Sequence, residues 1–305
     1  MVHTVNRFTP LNNARNKRVI NFRYHIVSLA AVLFALAAGV VLGAGIFQEK
    51  VVAEAKESID SDISPQLVGF DAGFASLAAE DLIKDSLKGK TVLLVSLPNA
   101  RESEVTDVAE NLDLAGADVT GHIRFTSDLL SPAKKQFVEG VAAQANTGAA
   151  AMGESYDIVG SAIAAAYLDP KSREAGDVAN RIRSAFVEGK LIENVEEPGR
   201  KAQYALLITG APRASDAKHG DVVSLLADGL DDGSNGVVIA GPVSSGEKGT
   251  IRSVRASDVA ARISTVDVTD LASGRVTVVL ALVSESKGKG GSWGTTRSAD
   301  GPVPH

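Results

Sequence analysis

The chain contains no cysteine. That excludes disulfides, zinc ribbons, iron–sulfur sites, thiol nucleophiles and a cysteine-borne lipid anchor. Histidine and methionine are also scarce, at five and two in 305 residues. His3 and His25 are the closest pair of histidines, and Met152 is the only methionine after Met1. Soft copper sites are built from Cys, Met or clustered His, so one protomer offers no set for tight copper binding. Aromatic residues are few, with one Trp, four Tyr and nine Phe, which weakens readings based on stacking sugars or bases. Acidic residues are missing from residues 1–25, which carry Arg7, Arg15, Lys17, Arg18 and Arg23.

The longest apolar run of the chain comes directly after that basic arm. Residues 26–47, IVSLAAVLFALAAGVVLGAGIF, hold no charge and no proline. As a helix this run reaches roughly 33 Å, enough for a hydrocarbon core of about 30 Å. It is longer than the apolar core of a cleavable signal peptide. We therefore expect an uncleaved single-pass anchor. The basic flank places the amino terminus in the cytoplasm and the bulk of the chain outside the plasma membrane. Taking the five basic residues of the arm from the totals of 31 basic and 37 acidic leaves the remainder at a net charge of −11. An acidic ectodomain does not suit nucleic acid. Within the run, Ala31, Ala35, Gly39 and Gly43 recur every four residues and share one face. Small residues so spaced allow close helix–helix approach in a bilayer, so this face is expected to self-associate.

Residues 48–88 have a helical pattern and form the expected stalk. Val52, Ile59, Ile63, Leu67, Phe70, Phe74 and Leu77 make an apolar stripe, suited to a partner helix. A helix packed on its own globular domain explains the same stripe equally well. Pro65 is expected to kink or divide the segment.

From residue 89 the periods change. Residues 91–97 and 202–210 are continuous apolar runs of the kind found in strands buried on both faces, and 236–241 is a shorter one. Residues 117–125 alternate, and 191–196 suit a short strand. Helical segments are expected to about Leu114, across 127–186, over 215–230 and, less regularly, over 254–263. Residues 275–284, RVTVVLALVS, are the strongest β-branched run and are read as the last strand. Strands alternating with helices predict an α/β domain over 89–285 with a Rossmann-like, mostly parallel sheet. Residues 286–305, rich in Gly, Ser and Lys, are expected to be a disordered tail.

Three strands should end in small-residue turns: Ser96-Leu97-Pro98, Thr209-Gly210-Ala211-Pro212 and Ala240-Gly241-Pro242. Ligands of open parallel sheets sit outside such carboxyl ends, although Gly and Pro also serve simply to turn the chain, and that simpler reading is preferred. Residues 241–248, GPVSSGEK, resemble a phosphate-binding loop but fail the pattern, because Glu247 stands where Lys is required. There is no GxSxG. Only His122 and His219 fall within the folded block, and both read as non-catalytic. No catalytic set, cofactor site or metal site is expected, and the protein is read as not an enzyme.

Four stretches are distinctive: Val27-Ser28-Leu29-Ala30-Ala31-Val32 continuing to Gly39-Val40-Val41-Leu42-Gly43, Lys88-Gly89-Lys90-Thr91-Val92 with Pro98-Asn99-Ala100, Ile263-Ser264-Thr265-Val266-Asp267, and the run from Gly274 to Leu282. Together they resemble the MctB family of actinobacteria. The similarity covers most of residues 25–285. It implies an envelope location and a role in copper transport or homeostasis, as a channel-forming protein usually assigned to the outer membrane. SteB-like members are instead linked to cell separation. There they accompany a SteA-like membrane protein and a peptidoglycan hydrolase with a coiled coil. The stalk here is shorter than the family's heptad-rich coiled coil. On physical grounds the preferred reading is a non-catalytic membrane-anchored scaffold, as a homo-oligomer or heteromer. Copper transport is the alternative.

Overall fold

The computed structural model describes residues 64–145, 156–214 and 218–304. The basic arm, the apolar run, residues 48–63 of the stalk and Met152 lie outside the described residues. In chain order the described elements are α1 (Pro65–Ile83), β1 (Thr91–Ser96), α2 (Glu102–Leu114), β2 (Asp118–Phe125), α3 (Ser127–Leu130), α4 (Lys135–Ala145), α5 (Tyr156–Tyr167), α6 (Asp177–Glu188) and β3 (Ile192–Glu196). After these come β4 (Tyr204–Ile208), α7 (His219–Asp232), β5 (Val237–Ala240), α8 (Val243–Lys248), α9 (Thr250–Arg255), β6 (Ser264–Val266), α10 (Ala272–Glu285) and β7 (Ser292–Trp293).

The strands form one sheet in the order β3-β2-β1-β4-β5-β6-β7. All neighbours are parallel except β2 and β3. The expected mostly parallel α/β sheet is present. Successive side chains of a strand face opposite ways, and here both faces are covered. Leu93 and Val95 of β1, with Ala205 and Leu207 of β4, join a core shared with α4, α5, α6 and α7. Val92, Leu94, Leu206 and Ile208 join a second core shared with α1, α2 and α10. Two-sided burial is why these strands read as unbroken apolar runs. The winding reverses between β1 and β4: from β1 the chain steps to β2, and from β4 it steps the other way to β5, β6 and β7.

Two expectations are corrected. Residues 275–284 are not the last strand but most of helix α10. The side chains of Val276, Val278, Val279, Ala281 and Leu282 are all buried. A helix enclosed on most sides keeps apolar residues all round, so its 3.6 period is erased and β-branched content points the wrong way. Nor are residues 286–304 a disordered tail. Strand β7 pairs with β6 in register Thr265 to Ser292 and Val266 to Trp293.

The carboxylate of the buried Asp267 holds this segment in place. It accepts hydrogen bonds from the Thr295 amide at 2.7 Å and from the Thr296 hydroxyl, and it pairs with the buried Arg255. Arg255 in turn donates to the Trp293 carbonyl at 2.9 Å and to the Ser298 hydroxyl at 3.2 Å. A segment ordered by long-range polar bonds leaves no apolar periodicity to read.

Within the stalk segment, Pro65 begins α1 instead of kinking it. It occupies the first helical turn, where its missing N–H costs nothing, and the Ser64 hydroxyl accepts from the Leu67 amide. Ala75, Ala79 and Ile83 are spaced by four and buried against the second core. The Asp71 carboxylate accepts from the Ser273 amide at 3.1 Å, meeting an otherwise unbonded donor in the first turn of α10. One face of α1 is thus packed on its own domain.

Candidate functional site

A crevice of about 360 Å³ opens where the winding reverses, outside the carboxyl ends of β1 and β4. Its walls are the turn after β1 (Leu97, Pro98, Asn99), the turn after β4 (Thr209 to Ala214), the first residues of α7 (His219, Gly220) and the α8–α9 junction with Ser253. Sheet bonding continues to its rim. The Leu97 amide donates to the Ile208 carbonyl and the Thr209 amide to the Ala240 carbonyl, both at 2.8 Å. Asn99 has φ 68, a left-handed conformation that Asn tolerates well. Gly210 is indispensable to the arrangement: a Cβ there would sit 1.7 Å from the Asn99 carbonyl oxygen. The two turns can therefore touch only because residue 210 has no side chain.

Two of the three sequence-predicted turns, at 96–98 and 209–212, meet in this crevice. The third, at 240–242, lies one strand further along the sheet. The 241–248 stretch is not a strand–loop–helix cradle. It folds as the six-residue helix α8, and Gly249 then starts the equally short α9. Glu247 is absent from the crevice wall, whereas its neighbour Lys248 is part of it. Arg213 and Ser253 were not singled out from the sequence, and Lys248 reads there only as the last residue of the failed 241–248 pattern. The only signal was their position beside Pro212 and Gly249, and that does not say where those turns converge.

The remaining candidates make contacts within the fold. His122 Nε2 lies 3.0 Å from the buried Ser96 hydroxyl across the β1–β2 pair. Burial, aided by the Arg124 charge, holds the imidazole below its ordinary pKa. Both groups are buried. The buried Glu104 accepts from the Thr269 hydroxyl at 2.9 Å and pairs with Arg101. Burial pushes its pKa up despite that cation. It ties α2 to the segment before α10. Among the described residues, no group of three or more His, Asp or Glu side chains could hold a metal ion.

Of the stripe residues, Val52, Ile59 and Ile63 lie outside the described residues, as do Ala31, Ala35, Gly39 and Gly43 of the membrane-helix face. Leu67, Phe70, Phe74 and Leu77 are all on the solvent side of α1, with Phe70 at 72 % and Leu77 at 81 % exposure. The Phe70 and Phe74 rings stack, centroids 6.3 Å apart. Among the described residues, no helix is long and apolar enough to cross a membrane.

Comparison with known proteins agrees with the resemblance seen in the sequence. Residues 19–304 match the family described as "Copper transport outer membrane protein, MctB". The chain is 28% identical over 294 residues to a protein of Mycobacterium tuberculosis (strain H37Rv) named copper transporter MctB, covering 87% of this chain and 92% of that one. A protein of Mycobacterium leprae with the same name is 27% identical over 295 residues, with the same coverage. With a match that runs from the apolar segment to the end of the sheet, the chain belongs to the MctB family.

Proposed function

We propose that this protein serves copper transport and copper homeostasis in the cell envelope, and that its α/β domain is a non-catalytic extramembrane unit and not the conduit. The observation that carries this is the similarity to proteins named copper transporter MctB along nearly the whole chain. The described sheet is open, with β3 and β7 at its edges and helices on both faces. That form differs from a closed spanning barrel, which needs strands with one lipid-facing side. Passage of the ion then falls to a partner protein, since the residue 26–47 segment has Ser28 as its only polar side chain and an ion path through a bilayer needs polar groups. In this reading the segment anchors the chain in the plasma membrane, amino terminus inside. The test is deletion of the gene with measurement of cell-associated copper and copper tolerance. We expect copper to rise and tolerance to fall, with both restored by the full-length chain. Unchanged copper content and tolerance would overturn the proposal.

A second reading rests on the exposed stripe Leu67–Phe70–Phe74–Leu77, which suits a scaffold that captures a partner helix. Such a scaffold would act in cell separation, beside a SteA-like protein and a peptidoglycan hydrolase with a coiled coil. Loss of the protein would then give chained cells at normal copper, an outcome distinct from the first.

A further inference from the structure

We propose that the crevice between the β1 and β4 turns is a binding site for a small organic anion bearing a phosphate or carboxylate group. The proposal does not depend on copper transport. Three features lead to it.

The first is place. The crevice stands at the topological switch point of a doubly wound sheet, outside the strand carboxyl ends, where the backbone itself creates a concavity. A turning role for these loops explains why Gly and Pro occur in them. It does not explain why the two touching turns border a cavity of about 360 Å³, a size within the range of small-molecule sites.

The second is charge. The protein as a whole has a formal charge of −6. Among the described residues, the crevice wall nevertheless includes Arg213, Lys248 and His219 and no Asp or Glu. Among the described residues, neither Arg213 nor Lys248 has a carboxylate partner, although most other arginines of the domain do. Two cations without a described carboxylate partner, at one concavity of an acidic molecule, favour a positive potential there.

The third is the supply of hydrogen-bond donors. The Thr209 and Thr250 hydroxyls lie 3.3 Å apart at the base of the wall. Ser253 is drawn close to the first turn of α7 because residue 220 is glycine: a Cβ there would lie 2.6 Å from the Ser253 hydroxyl oxygen. Among the described residues the amide of Gly210 has no acceptor. Guanidinium, ammonium, hydroxyl and amide donors around one cavity match the acceptor-only surface of a phosphate or carboxylate group.

The test uses the full-length chain in detergent and isothermal titration with glucose 6-phosphate, citrate, inorganic phosphate and, as the neutral control, glucose. We expect at least one organic anion to bind, and glucose not to bind. The Arg213→Ala and Lys248→Ala substitutions should each weaken binding about 10-fold or more, the usual effect of losing a charge-assisted contact. Both side chains are on the surface, and their removal should leave the thermal midpoint unchanged. A response to glucose 6-phosphate alone assigns the phosphate class, and a response to citrate alone assigns the carboxylate class. Failure of all three anions to bind overturns the proposal, and so does binding that both substitutions leave intact. A copper phenotype with no anion binding would sink this site and leave the transport proposal standing.

Discussion

Glu285 ends α10 beneath the amino ends of β5 and β6, on the opposite side of the sheet from the crevice. Burial pushes its pKa up to about 7, against the lowering effect of a hydrogen bond from Ser264, and Asp231 adds to the rise. Asp231 is itself pushed up to about 6, first by burial and then by Asp232. A carboxyl group whose folded pKa is raised binds its proton more tightly when folded. Its contribution is therefore fully present below the unfolded value of 4.5 and is lost as pH rises through about 7. For Glu285 the loss across that window is about 3 kcal/mol. We expect the urea midpoint of the wild-type protein, monitored by Trp293 fluorescence, to fall between pH 5 and about 8. Glu285→Gln should remove most of that slope and raise stability at the alkaline end. Equal slopes in the two proteins would show that Glu285 ionises freely. Anion binding at the far end of the sheet should be the same in both. None of this was legible in the sequence, where Glu285 simply follows the β-branched run 275–284 and carries no sign of burial.

Among the elements, α1 shows how one helix can answer two readings of the same stripe. Its Ala75, Ala79 and Ile83 face is committed to the domain, and its Leu67, Phe70, Phe74 and Leu77 face is not. Replacing Phe70 and Phe74 together by Asp should change the unfolding free energy by no more than about 0.5 kcal/mol, as for surface positions generally. The same change should abolish cross-linked adducts of the full-length protein in native membranes, if this face meets a partner helix. Ala79→Asp, by contrast, buries a charge against the second core and should destabilise the domain outright. A Phe70/Phe74 variant as unstable as Ala79→Asp would mean that the face is packed in the protein's own fold. Unchanged adducts would dismiss the partner. The stripe was legible because an exposed apolar face and a buried one share the same helical period. Sequence spacing cannot tell them apart, and only the smaller residues, Ala75 and Ala79, mark the side of close packing. Helix α10 failed in the opposite way: burial on most sides left no polar positions to set its period. The strands β1, β4 and β5 were readable because two-sided burial in a parallel sheet leaves a short unbroken apolar run between turn residues.

At the scale of the whole molecule, the sheet is finished by the segment that composition alone assigns to disorder. Strand β7 covers the edge of β6, and Thr295 and Thr296 supply the donors that the buried Asp267 carboxylate requires. Without them Asp267 and Arg255 would still face each other, but both would be short of partners in an interior that penalises such groups. The crevice wall is linked to the same structure through α9, which carries both Ser253 and Arg255. A chain ending at residue 285 should therefore lose about 3 kcal/mol or more, the order expected when a buried, hydrogen-bonded ion pair is left partly unsatisfied. It should also tend to associate through the uncovered β6 edge. Trp293 is lost in that variant, so far-ultraviolet circular dichroism should track its urea unfolding. Thr296→Val in the complete chain keeps the β7 pairing and removes only the hydroxyl, and it should show a smaller loss of the same sign. If the shortened chain unfolds at the wild-type midpoint, the terminal segment does not support the sheet. If Thr296→Val costs as much as the whole truncation, the Asp267 contacts account for the stabilisation and the β7 pairing adds nothing to it.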